Sequence, residues 1–156
     1  MRIVTVVPEP ALSALLPGAS YADAFRGVSE LRSLDAPSAA KRIMGRAPLW
    51  VQGLMALRNV IVVPFGLRTR IDSAGPHLGL FPILSETARQ VVLGLDDRHL
   101  DFRVSVEVDP APGQRRRITV TTLVRPHNIW GRIYLRLILP FHKLIVAAMM
   151  AQAERA

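Results

Sequence analysis

Cysteine is absent from the chain, so disulfides, thiolate nucleophiles and cysteine-ligated zinc or iron–sulfur centres are excluded. Such a chain suits a reducing compartment, and the cytoplasm is the simplest expectation. Equally absent are a G-x-G-x-x-G dinucleotide turn, a phosphate loop and a nucleophile elbow, since Ser85 and Ser105 lack the flanking glycines that an elbow needs. No cofactor is expected. His77, His99 and His127 show no metal-site spacing, and no metal is expected. The formal charge of +8 comes without a helix-turn-helix, zinc finger or aromatic RNA-binding motif, so no specific nucleic-acid partner is expected. Pro8, Glu9 and Pro10 interrupt the apolar start before a signal-peptide core is complete, and no targeting segment is read there.

What the chain does contain is apolar residues: half of its 156 positions are hydrophobic and mean hydropathy is +0.26. That predicts a large core or an additional apolar surface. The length fits one domain, 1–156, with an extended N-terminal segment over 1–20. Residues 21–28 follow a Pro17-Gly18 break and read as a first strand. From Pro37 to about Val63 the apolar residues recur at helical steps, interrupted between Gly45 and Pro48, which predicts two helices. A loop containing Gly75, Pro76 and Gly79 follows, then apolar runs at 80–85 and 89–95.

Residues 99–108 alternate Leu100, Phe102, Val104, Val106 and Val108 against Asp101, Arg103, Ser105 and Glu107, the pattern of a strand with one buried face. Pro-Ala-Pro-Gly at 110–113 is turn chemistry, and 117–125 alternates again, so antiparallel hairpins are expected, with Arg115, Arg116 and Arg117 on an exposed shoulder. Residues 128–153 read as one long helix, capped by Asn128 and bent at Pro140. On it Arg132, Arg136 and Lys143 share a narrow stripe while apolar side chains cover most of the rest. Positions 129–150 are long enough to span a bilayer, but two arginines, a lysine and a histidine within them would cost several kcal/mol, so no membrane span is expected. The fold class is therefore α+β, with a curved antiparallel sheet wrapped around the last helix.

Two stretches, VVLGLDDRHLDFRVSVEV (91–108) and GRIYLRLILPFHKLIVAAMM (131–150), resemble a bacterial domain family of unknown function related to the helix-grip proteins. That superfamily includes START lipid carriers and polyketide cyclases and mostly binds apolar ligands. The resembling family also occurs behind an NAD(P)-binding, short-chain-dehydrogenase-like domain. The resemblance implies a helix-grip fold and an oxidoreductase partner. It implies no catalytic residues.

From the residues themselves, His142 on the last helix is a candidate proton shuttle, or equally a core-edge histidine held by backbone, and Tyr134 a second candidate or a plain packing tyrosine. An apolar cavity between sheet and helix would be lined by Phe102, Val104, Val120, Trp130, Tyr134, Ile138, Phe141 and His142; ordinary core packing accounts for the same spacing. Arg103 would anchor a ligand carboxylate if its face of the strand turned inward, and is otherwise part of a solvated charge ladder. Three functions remain open: binding of a small apolar molecule, a cyclase- or isomerase-like enzyme in the same cavity, and an interaction module partnering an oxidoreductase or a second copy. With no element to read base sequence, association with DNA should be weak and should fade as salt rises. A filter-binding series in which one sequence is preferred at physiological salt would contradict this.

Overall fold

The computed structural model describes residues 1–65, 75–79 and 81–155. Residues 66–74 of the expected loop, and Leu80 at the expected start of the next strand, lie outside them. Among the described residues seven strands form one antiparallel sheet: β1 (Ile3–Val6), β2 (Tyr21–Ser29), β3 (His77–Leu78), β4 (Phe81–Glu86), β5 (Gln90–Asp96), β6 (Leu100–Ala111) and β7 (Arg115–Pro126). Their order is β1-β2-β7-β6-β5-β4-β3, so the sheet is curved but not closed. Among the described residues three α-helices accompany them: α1 (Ala36–Met44) and α2 (Leu49–Val62), which precede the hairpins, and the long C-terminal α3 (Ile129–Met150). This is an α+β, helix-grip-like arrangement of sheet and C-terminal helix.

Alternation along the central strands sorts the side chains. Val106 sits opposite Val120, Val108 opposite Ile118 and Val104 opposite Leu93, and cross-strand partners share a face. These residues are buried together with Phe25 against Ala36, Ala39, Ala40 and Ile43 of α1. The i, i+3, i+4, i+7 spacing gives α1 one apolar face, and its three alanines let the helix axis approach the sheet closely. Asp35 starts α1, its Oδ1 accepting from Ser38 N at 2.9 Å, with Pro37 in the first turn.

On the opposite face, Asp101, Arg103, Ser105 and Glu107 of β6 point away from the helices. That face is not simply solvated. The N-terminal segment, expected as extended chain, pairs through β1 with β2 and then forms a 3₁₀ turn at Pro10–Leu15. Leu12 and Leu16 of this segment are buried, as are Ala24 and Leu123. Glu107 is held above its usual carboxylate range, first by burial and then by repulsion from Glu9 and Asp109.

Helix α3 begins where the sequence places it: Asn128 Oδ1 accepts from Gly131 N at 3.0 Å. Pro140 lies inside the helix without ending it. It is exposed, and it has no N–H to donate to the carbonyl one turn earlier. At Gly131 the helix runs close to the bend that precedes β6, and a Cβ there would collide with the His99 backbone carbonyl. Gly53 in α2 has open space around it. Gly131→Ala should therefore destabilise the fold by about 1–3 kcal/mol, whereas Gly53→Ala should stabilise it by about 0.5–1 kcal/mol. Equilibrium urea unfolding checks both signs, and equal effects at the two sites would refute the close approach.

Candidate functional site

The surface that α3 presents is divided lengthwise into three strips. The first faces the sheet: Gly131, then Leu135 against Leu100 and Val124, then His142, then Met150 in the main core. The second carries Arg132, Arg136 and Lys143, all exposed. The third carries Trp130, Ile133, Leu137, Phe141 and Leu144, with exposures of 51, 43, 63, 50 and 63%. The wide apolar arc predicts a helix wrapped by the curved sheet, with an apolar cavity between them. In fact only 11% of its most apolar stretch is buried, although that stretch reaches a mean hydropathy of 1.6 and is long enough to cross a membrane. One such helix is weak grounds for a span.

Helix α2 repeats the pattern. Val51 is buried, while Leu49, Trp50, Leu57 and Val60 are exposed, as is Val63 just beyond the helix. Apart from Val4, Val7 and Leu84, every exposed large hydrophobic among the described residues belongs to this stretch or to α3. The two helices touch where Arg58 Nε donates to Tyr134 Oη at 2.9 Å, with the guanidinium 5.5 Å from the tyrosine ring centre. Monomeric proteins rarely leave contiguous apolar surface on this scale without a use.

Beneath α3 lies a polar cluster. Register puts Asp23 of β2 opposite Thr122 and Tyr21 opposite Val124, on the same face as Phe25. Asp23 is buried. Tyr21 Oη donates to its Oδ2 at 2.6 Å, and His142 Nε2 lies 3.3 Å from the same oxygen. The Tyr21 and His142 rings meet edge to face, their centres 6.5 Å apart. Burial first, then the hydrogen bond to Asp23 and its charge, push the Tyr21 hydroxyl well above its ordinary value. Tyr21 thus stays a neutral donor, and the carboxylate gets the partners that a buried charge needs.

The nominated residues are therefore divided among several surroundings. Phe102, Val104 and Val120 do face the helix side: Val104 and Val120 pack in the core with α1, and Phe102 borders both apolar clusters. Ile138 is half-buried, whereas Trp130 and Phe141 are on the outer strip. Tyr134 and His142 take different partners, Arg58 and Asp23. Arg103 lies on the opposite face, where Nη1 donates to Asp96 Oδ1 at 2.7 Å and to the Phe102 carbonyl. Asp23 and Tyr21 were missed by sequence reasoning, although the period-2 run Tyr21, Asp23, Phe25 was a usable signal of a carboxylate on the covered face.

Two clefts stand out among the described residues, and neither adjoins Tyr134 or His142. One, of about 430 Å³, lies between Arg32 and the β6–β7 turn with Arg115 and Arg116. The other, of about 320 Å³, runs from Ser33 and Asp35 to Arg89. No group of three or more potential metal-binding side chains comes together among the described residues.

Sheet, packed helices and an exposed apolar helical face define an α+β, helix-grip-like domain. The chain belongs to the family described as protein of unknown function DUF2867, which matches residues 15–149. No curated protein matches it.

At the sheet end near α3, Asp101 is buried, Arg125 Nη2 donates to its Oδ2 at 2.7 Å, and His127 Nε2 is 2.9 Å from Oδ1. Burial alone would raise its carboxyl, but hydrogen bonds from Arg125 and His127 and their charges outweigh this, and it lies below its ordinary value. A carboxyl depressed in the folded state contributes stability above its unfolded value and loses it as pH falls through the folded one. Asp101→Asn should cost about 1–3 kcal/mol near neutral pH, and the difference from the unaltered chain should vanish under strongly acidic conditions. A difference that persists in urea titrations at acidic pH would contradict this assignment.

Proposed function

We propose that this chain is a binding domain whose working surface is the exposed apolar strip of α3 together with the neighbouring exposed residues of α2. The observation that carries the reading is the concentration of exposed large hydrophobics on these two helices. The ligand is apolar, in keeping with the helix-grip resemblance. It is taken up on the helical face, because the line between α3 and the sheet is occupied by Leu135, Met150 and the Asp23 cluster. A cytoplasmic setting belongs to the same reading.

The acid–base alternative is favoured by one feature, the Tyr21–Asp23–His142 cluster, and not by the pair Tyr134 and His142. In this cluster Asp23 would orient His142, while Tyr21 supplies a neutral hydroxyl. A role in turnover requires substrate to reach a carboxylate that is covered by α3.

The test is Leu137→Glu with Phe141→Glu. Surface changes of this kind shift stability by only about 0.5 kcal/mol each, so the variant should melt close to the unaltered chain while losing fluorescence enhancement of the apolar dye anilinonaphthalene sulfonate. A loss of several kcal/mol would show that these side chains are core in solution, and would overturn the proposal.

A further inference from the structure

Deepening the proposed function and resting on it, we propose that the apolar helical face docks on the surface of an anionic phospholipid bilayer, with α3 lying in the interface and not spanning it. Charge selects this occupant. No Asp or Glu occurs between Asp35 and Asp72 or between Asp109 and Glu154, so α2 and α3 carry cations alone: Arg58, Arg132, Arg136 and Lys143. On α3 the last three form an exposed strip directly alongside Ile133, Leu137 and Leu144. Apolar and aromatic residues beside a basic strip are the surface of a helix that sinks into the acyl boundary while its cations meet lipid phosphates. Long basic side chains extend readily to that level.

The tryptophans fit the same reading. Trp50 and Trp130 are the chain's two tryptophans, each at the first turn of its helix and about half exposed. Indole rings favour the headgroup level of a bilayer. A second copy is a poorer occupant, since pairing this face with itself would bring the cationic strips together in a chain of net charge +8. A spanning helix is disfavoured by the inner strip, because leaving the sheet would strand the partners of Gly131, Leu135, His142 and Met150.

The experiment is flotation of the full chain with vesicles of equal parts phosphatidylglycerol and phosphatidylcholine, against phosphatidylcholine alone, with tryptophan emission read in parallel. Binding should require the anionic lipid, weaken with salt, and shift the emission to the blue. The combined variant Arg132→Gln, Arg136→Gln, Lys143→Gln, shown to be folded by circular dichroism, should bind about a hundredfold more weakly, and Arg136→Glu alone should weaken binding in the same direction. Equal binding to both vesicle types, or binding untouched by these substitutions, overturns the inference. No vesicle binding, with a dimer that Leu137→Glu and Phe141→Glu dissociate, overturns it in favour of a second copy and leaves the proposed function standing. A monomer that binds neither vesicles nor dye overturns both.

Discussion

A single line of contact along α3 holds the long helix to the sheet, and much of the rest of the surface follows from it. Gly131 lies against the His99 carbonyl, Leu135 enters the cluster of Leu100 and Val124, His142 approaches Asp23, and Met150 closes the main core. These contacts set both the height of the helix and its rotation. Once the rotation is set, Trp130, Ile133, Leu137, Phe141 and Leu144 must point outward, whatever their hydropathy.

The line combines two kinds of interaction. Apolar burial at its ends supplies most of the attraction and is indifferent to small rotations. The polar cluster in the middle is directional: a buried carboxylate without partners would cost several kcal/mol, so Tyr21 and His142 are constrained to meet it. Arg58 on Tyr134 does the same for α2 against α3. The main core beneath α1 is already satisfied by the small residues of that helix, and it asks little of α2 or of the outer half of α3. The apolar surface left over is therefore a property of the assembled fold, available to something outside it.

Much was legible before any coordinates. Alternation over 99–108 and 117–125 marked the central hairpin because a strand buried on one face must repeat every two residues, and Asn128 marked the start of α3 because a short polar side chain satisfies its free amide groups. The break near Gly45 and Pro48 separated α1 from α2 in the same way. The candidate site was less legible. A wide apolar arc looks the same whether it is buried in a core or exposed to a partner, so Trp130 and Phe141 could be nominated for a cavity and yet stand on the surface.

Local sequence determined the elements themselves, since periodicity, caps and turn residues act within a few positions of one another. Only the tertiary structure decided which face of α3 meets the sheet, that Tyr134 takes Arg58 while His142 takes Asp23, and that the N-terminal segment returns to the sheet, where Arg125 Nη1 donates to the Pro17 carbonyl. The pairing of Asp23 with His142 spans 119 positions, and no local pattern encodes which distant carboxylate a histidine will reach. That choice is made by strand register and by how closely Gly131 lets the helix approach, both of which exist only when the chain is assembled.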